Sequence, residues 1–128
     1  MSLINSLDHI NIRTADLAAT MTFFIEVLGL TEGWRPDFGF PGAWLYAGEK
    51  DVVHLVQVAE PLGRSDASSL DHIAFDISEY DEALTRVRAT GLSFYELSTP
   101  GTSVKQIFVR EGNGATIELN WKGPTPRG

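Results

Sequence analysis

The chain has 128 residues, 43% of them hydrophobic, which is the size and composition of one globular domain with its own core. It contains no cysteine, which excludes disulfide bonds and cysteine-ligated metal sites, so any metal ligand must be His, Asp or Glu. With 17 acidic and 10 basic residues the net charge is −7, and because the basic residues do not cluster, nucleic acid is disfavoured as a partner.

The N-terminal segment, MSLINSLDHI, lacks the basic and apolar regions of a signal peptide. No apolar stretch approaches the roughly 20 residues that a membrane-spanning helix needs. We therefore expect a soluble, cytoplasmic protein with no membrane partner.

The first half of the chain predicts a strand, an amphipathic helix and three more strands. The strands are predicted at residues 6–13, 30–36, 42–47 and 52–58. The apolar residues of DLAATMTFFIEVLGL recur at helical spacing: Leu17, Met21, Phe24 and Leu28. Asp16 is expected to cap this helix and Gly29 to end it. The segment RPDFGFPGA is expected to be a surface loop.

The second half predicts the same order of elements after a polar connecting segment, AEPLGRSDASS. Its strands are predicted at residues 69–77, 92–98, 104–110 and 115–121. In SEYDEALTRVRATGL, Ser78 and Asp81 resemble a capping box, and Gly91 marks the end of the helix. We expect the C-terminal tail, GPTPRG, to be disordered.

The tetrapeptide Leu-Asp-His-Ile occurs twice, at residues 7–10 and 70–73, and the similarity extends through both halves. AWLYAGEKDVVHLVQ (43–57) aligns without a gap with IFVREGNGATIELNW (107–121). One such unit leaves its strand edges open, so two should pair into a larger sheet. The predicted fold is therefore α+β: two βαβββ modules, residues 1–63 and 64–128, in one domain with a curved mixed sheet.

The three histidines of the chain follow this repeat. His9 and His72 are equivalent positions in the opening strands, and His54 corresponds to Glu118 in the closing strands. A strand histidine is more often a core residue bonded to the backbone, but the repeat favours a shared role. A glutamate in a buried strand needs a compensating partner. Three imidazoles and one carboxylate converging on one face suit a divalent ion such as Zn²⁺, Fe²⁺, Mn²⁺, Ni²⁺ or Co²⁺.

Other polar and aromatic side chains are candidates for substrate binding: Asn11, Arg13, Trp44, Lys105 and Asn120. Strand alternation places the first two on the face of His9, and the last on the face of Glu118. Taken singly, each basic residue fits a solvent-facing role better than contact with an anionic substrate. The aromatic residues near Trp44 fit either a substrate pocket or the core.

The segments LDHINIRTADLAATMTFFIEVLGL, LDHIAFDI and FVREGNGATIELNW resemble the vicinal oxygen chelate superfamily over essentially the whole chain. That superfamily includes glyoxalase I, methylmalonyl-CoA epimerase, fosfomycin-resistance enzymes, extradiol dioxygenases and metal-free bleomycin-resistance proteins. The resemblance implies metal ligands in the first, fourth, fifth and eighth strands, which here are His9, His54, His72 and Glu118. It also implies a homodimer with sites often built from both subunits.

This chain departs from the resembling enzymes at single positions. Bacterial glyoxalase I has a glutamate where this chain has His54, so that proton abstraction would rest on Glu118 alone. Fosfomycin-resistance enzymes and extradiol dioxygenases match His9, His72 and Glu118 but have no ligand at the position of His54. The former also have a threonine where this chain has Asn11.

The resemblance implies a metal-dependent lyase or isomerase of the glyoxalase type, acting on a small substrate that chelates the metal through two adjacent oxygens. Glu118 would be a ligand and a candidate base. The alternatives are an Fe(II)-dependent extradiol-type dioxygenase and a non-catalytic drug-binding resistance protein, and metal content separates the last from the enzymes.

Overall fold

The computed structural model describes residues 1–124, and each half contains a strand, a helix and three strands in that order. The first half comprises β1 (Ile10–Thr14), α1 (Leu17–Leu28), β2 (Thr31–Gly33), β3 (Gly42–Ala47) and β4 (Lys50–Gln57). The second comprises β5 (His72–Ile77), α2 (Tyr80–Thr90), β6 (Phe94–Ser98), β7 (Lys105–Arg110) and β8 (Thr116–Trp121). The duplicated βαβββ fold is thereby confirmed. Most of the predicted disordered tail, residues 125–128, lies outside the described residues.

The strands form two four-stranded mixed sheets, where a single curved sheet was expected. Their strand orders are β1-β4-β3-β2 and β5-β8-β7-β6, with the first pair of each parallel and the others antiparallel. The sheets belong to two compact units, of which the first ends at Pro61 and the second begins at Leu62. Pairing between modules uses main-chain groups common to all residues, so the sequence pattern carries little signal for it. That both units form one domain stays a prediction.

Two strands of the first unit are shorter than predicted. β1 begins at Ile10 instead of residue 6, which leaves His9 immediately before the strand. β2 ends at Gly33 instead of residue 36, because the hydroxyl of Tyr46 donates to the carbonyl of Trp34 at 2.6 Å and takes the place of a ladder partner.

Helix α1 has the predicted ends, but its buried face is rotated from the predicted one. The Asp16 side chain accepts from the backbone of Ala19, and Gly29 closes the helix with a φ of 72°. Of the predicted apolar stripe only Phe24 is buried, and the other buried positions are Thr20, Phe23 and Val27. Thr20 can be buried because its hydroxyl bonds that of Thr14 at 2.8 Å.

Helix α2 shows that the predicted capping box of Ser78 and Asp81 is wrong. The cap residue is Glu79, whose side chain makes no capping hydrogen bond. Asp81 lies within the first turn, where its negative charge interacts favourably with the helix dipole. Gly91 ends the helix in the left-handed conformation, as predicted. No helix within residues 1–124 is long and apolar enough to span a membrane.

The two helix caps generate a matched stability test. Asp16→Ala should lower the free energy of unfolding by about 1 kcal/mol, because it removes a side-chain acceptor for a helix amide. Glu79→Ala should change it by less than about 0.5 kcal/mol, because no capping bond is lost. Urea unfolding followed by circular dichroism measures both, and equal losses would contradict this account of the caps.

Candidate functional site

In the first unit, three rings form a continuous stack centred on His54. Its Cα partners are Asn11 on β1 and Trp44 on β3, so the side chains of Asn11, Trp44 and His54 lie on one face of the sheet. The Trp44 ring lies parallel to the His54 ring at 4.0 Å and 9°. The His9 ring covers the His54 ring at 3.8 Å and 15°. The sheet register thus brings two of the predicted ligands together, with His54 itself buried.

Each of these two histidines donates to a carboxylate. His9 donates through Nδ1 to Asp8 Oδ2 at 2.6 Å, and His54 donates through Nε2 to Asp51 Oδ2 at 2.6 Å. The hydrogen bond from His54 holds the pKa of the Asp51 carboxyl below its usual value. The nitrogen left as an acceptor is therefore Nε2 of His9 and Nδ1 of His54 when both rings are neutral.

In the second unit, Glu118 occupies the corresponding place in the sheet. Its Cα partners are Ala74 on β5 and Phe108 on β7. Glu118 is 7% exposed, and its Oε1 lies 3.1 Å from Nε2 of His72. Gln106 donates its Nε2 to Oε2 of Glu118 at 3.4 Å. The second pair of predicted ligands is thereby also brought together.

The repeated tetrapeptide supplies a feature that the sequence analysis missed. Asp71 Oδ2 accepts from Nδ1 of His72 at 2.8 Å, which reproduces the bond between Asp8 and His9. A carboxylate on Nδ1 fixes the orientation of an imidazole and leaves Nε2 as the acceptor, an arrangement common around metal-ligating histidines. The signal was the aspartate that precedes the histidine in both copies of LDHI.

The contact between His72 and Glu118 joins two acceptors. Because Nδ1 of His72 donates to Asp71, a neutral ring presents a lone pair on Nε2 to the Glu118 carboxylate, which has no proton to donate when ionised. Two facing acceptors at 3.1 Å are stable only with a proton or a cation between them. This pair can therefore bind a positive charge.

The four predicted ligands appear as two pairs, one in each unit. Within residues 1–124 no group of three or more His, Asp or Glu side chains is gathered closely enough to hold a metal ion. That His9, His54, His72 and Glu118 share one ion stays a prediction.

Two of the predicted substrate contacts lie beside His54. Asn11 and Trp44 line a cavity of about 120 Å³ together with that histidine. Arg13 lies on the same strand as Asn11, two residues further along, with an exposed side chain. These positions agree with the face that strand alternation predicted.

The other two residues predicted to contact the substrate lie in the second unit, and one of them is near Glu118. Asn120 follows Glu118 on the same face, and its buried Oδ1 has no hydrogen-bond partner among residues 1–124. Lys105 pairs instead with Trp121 and lies on the opposite face, with Nζ 5.2 Å from the centre of the Tyr80 ring. The structure therefore separates Lys105 from the candidate site, because it lies three residues from Phe108, the partner of Glu118, and strand alternation turns it to the other face.

Comparison with known proteins now identifies the family. Residues 6–119 match the family model of the Glyoxalase/Bleomycin resistance protein/Dioxygenase superfamily. The chain belongs to this superfamily. The match confirms the resemblance drawn from the two LDHI segments and the closing hairpin.

Individual relatives are more distant. The chain is 28% identical to lactoylglutathione lyase GLX1 from Arabidopsis thaliana, over 92% of this chain and 44% of that protein, so it spans under half of the relative's length. Its fold is similar to a putative glyoxalase family protein from Bacillus anthracis, with 20% identity, coverage of 95% and 98%, and a TM-score of 0.77. It is also similar to a FosX variant from Listeria monocytogenes, with 22% identity, coverage of 91% and 92%, and a TM-score of 0.71. That structure is a complex with Mn(II) and 1S,2S-dihydroxypropylphosphonic acid.

A second buried glutamate provides a structural contrast to Glu118. Glu111 is 1% exposed and accepts from the backbone amides of Asn113 and Ala115, both at 2.9 Å. These bonds hold the turn between β7 and β8. Within residues 1–124 the Glu118 carboxylate has side-chain partners alone, so it does not hold a turn as Glu111 does.

The two glutamates should respond differently to loss of charge in metal-free protein. Glu111→Gln should lower the free energy of unfolding by about 1–3 kcal/mol, because an amide group then faces a buried backbone donor. Glu118→Gln should leave it unchanged or raise it, because a buried charge is removed and the amide can donate to His72. Urea unfolding with EDTA measures both, and a loss at Glu118 as large as at Glu111 would assign Glu118 a structural role.

Proposed function

We propose that the protein is a metal-dependent enzyme of the glyoxalase type, a lyase or isomerase that acts on a small substrate with two adjacent oxygen atoms. The observation that carries this proposal is the facing pair of acceptors, Nε2 of His72 and Oε1 of Glu118, which are 3.1 Å apart. The likeness to lactoylglutathione lyase, at 28% identity, supports the reaction class.

The proposed metal ligands are His9, His54, His72 and Glu118, and their chemistry fits a divalent ion. Three imidazoles and one carboxylate are donors that Zn²⁺, Fe²⁺, Mn²⁺, Ni²⁺ and Co²⁺ accept. The carboxylates that orient His9 and His72 are the supporting groups that such ligands need. When bound, the ion would stabilise negative charge that develops on a substrate oxygen.

Glu118 is the proposed base, because it is the only carboxylate in the ligand set. A proton on a carbon next to a carbonyl would pass to a Glu118 oxygen. Gln106 orients Oε2 of that carboxylate through its amide hydrogen bond. Burial keeps water away from the oxygens, which strengthens their interaction with charged partners.

We also propose that the protein is a homodimer. Leu7 and Leu70 open the two LDHI segments and are 76% and 68% exposed, although both are large apolar residues. Equivalent exposed leucines in both modules favour a surface that a second copy covers. Analytical ultracentrifugation tests this, and a mass of 14.1 kDa in solution would contradict it.

Metal content is the direct test of the proposed function. Protein purified without added metal should contain about one divalent ion per chain, and His72→Ala should abolish loading because one acceptor of the facing pair is lost. Asp71→Asn should keep the ligand but weaken metal affinity by about 10- to 100-fold, because the imidazole loses its orienting carboxylate. Plasma mass spectrometry and competition with a chromogenic chelator measure the two effects.

Glu26→Gln is the matched control, because it removes an equal charge from the exposed face of α1 and should leave metal binding unchanged. Failure of the wild-type protein to bind any of the five ions would reject the enzyme proposal. That result would favour the alternative, a drug-binding protein without a metal.

One observation favours a second candidate, an Fe(II)-dependent ring-cleaving dioxygenase. His54 is stacked between the rings of His9 and Trp44, and its Nε2 donates to Asp51. This hydrogen bond occupies one of the two nitrogens through which His54 would bind a metal ion. If His54 does not ligate, the remaining set is His9, His72 and Glu118, the two-histidine, one-carboxylate set of Fe(II) oxygenases.

The dioxygenase candidate predicts oxygen uptake in the presence of a catechol and Fe(II). His54→Phe should then preserve oxygen uptake within about threefold, since the flat ring maintains the stack. An oxygen electrode measures the rate. No uptake with a panel of catechols would leave the glyoxalase-type reaction as the proposal.

A further inference from the structure

The loop between β2 and β3 builds a cavity beside His54. The cavity has a volume of about 120 Å³ and belongs wholly to the first unit. Three of its lining residues come from this loop: Arg35, Phe38 and Phe40. Pockets for drug-sized ligands measure roughly 300–1,000 Å³, so this one suits a small molecule or one end of a larger one.

Among the residues that the structure describes, Arg35 is the one Lys or Arg that lines this cavity. Its guanidinium carbon lies 4.9 Å from the centre of the Phe38 ring and 5.1 Å from that of Phe40. Among residues 1–124 no carboxylate lies within ion-pair distance of Arg35, and no hydrogen bond joins it to another residue. Its donors are therefore available to an anion in the cavity.

Gly42 makes room for the arginine. A side-chain carbon at this residue would lie 2.7 Å from the Arg35 terminal nitrogen and 2.3 Å from the carbonyl oxygen of Leu55. Any other residue would displace the guanidinium or the strand beneath it. The absence of a side chain at Gly42 thus leaves the space that the Arg35 guanidinium occupies.

Flat aromatic surfaces form the walls. The rings of Phe38 and Phe40 are stacked at 5.5 Å, and Phe38 also contacts Trp44, with ring centres 6.2 Å apart. The two phenylalanines are 48% and 47% exposed. Exposed aromatic rings around a guanidinium that has no carboxylate partner indicate a surface for a ligand with both an anionic group and an apolar group.

We propose that this cavity is an anion subsite in which Arg35 binds a carboxylate or phosphonate group and the rings of Phe38, Phe40 and Trp44 contact an attached flat apolar group. The planar guanidinium matches either anion through two parallel hydrogen bonds. The inference rests on the proposed function only in placing the subsite beside His54, a proposed ligand. It narrows the substrate class to small acids that carry an aryl or similar group.

The test uses metal-free protein and four small probes, with affinities measured by isothermal titration calorimetry. Benzoate and phenylphosphonate carry both the anion and the ring, acetate lacks the ring, and benzamide lacks the charge. Benzoate or phenylphosphonate should bind at least tenfold more tightly than acetate and benzamide. The tighter of the two anions identifies the acid.

Arg35→Ala should weaken binding of that anion at least tenfold, and Arg35→Lys should weaken it less, because lysine keeps the charge but not the planar fork. Arg86→Ala is the matched control, since this arginine lies on α2 in an exposed pair with Glu82 and should not affect binding. If Arg35→Ala does not fold, as judged by circular dichroism, Arg35→Lys and the benzamide comparison carry the test.

Equal anion affinity in wild type and Arg35→Ala, or equal affinity for benzoate and benzamide, would overturn the inference. Metal content measured on the same proteins separates this failure from that of the proposed function. Arg35-dependent anion binding in a protein that never loads metal would retain the subsite and reject the metalloenzyme. Metal loading without Arg35-dependent anion binding would reject the subsite and retain the metalloenzyme.

Discussion

The parallel pairing of the first and last strand of each unit determines which side chains can act together. In one unit it sets His54 opposite Asn11, and in the other it sets Glu118 opposite Ala74. A slip of one residue in either ladder would turn His54 or Glu118 toward the helix and away from the face it now shares with a histidine. The buried apolar residues that flank them, such as Leu55 and Leu119, oppose such a slip because they would lose the core.

The two units share this register but differ in the chemistry that it presents. The face of the first unit carries the imidazoles of His9 and His54, the indole of Trp44 and the guanidinium of Arg35. The face of the second carries the Glu118 carboxylate with an amide and an imidazole around it. The equivalent positions are thus kept in both copies, but one copy presents a buried carboxylate and the other presents aromatic rings.

Much of this arrangement could be predicted from the sequence because it depends on local signals. Asp16 and Gly29 mark the ends of α1 through side-chain and backbone chemistry that acts within four residues. The bounds of β3 agree with the prediction, and the equivalence of His54 and Glu118 follows from aligning the two halves.

The features that were missed depend on contacts distant in the sequence or on choices between similar local options. Lys105 lies close to the rings of Tyr80 and Trp121, and the sequence pattern does not show that these residues are near each other. The early end of β2 depends on a hydroxyl twelve residues away from its acceptor. At α2, several acidic and hydroxyl residues compete for the cap, and pattern alone does not decide between them.

The bond between each histidine and the aspartate immediately before it makes orientation a local property of the chain. Partners of this kind fix the ring orientation of a metal-ligating histidine. Here the orienting carboxylate belongs to the residue directly before the histidine, as in Asp8 with His9 and Asp71 with His72. Because the two residues are adjacent, duplication of one strand copies the histidine together with the aspartate that orients it.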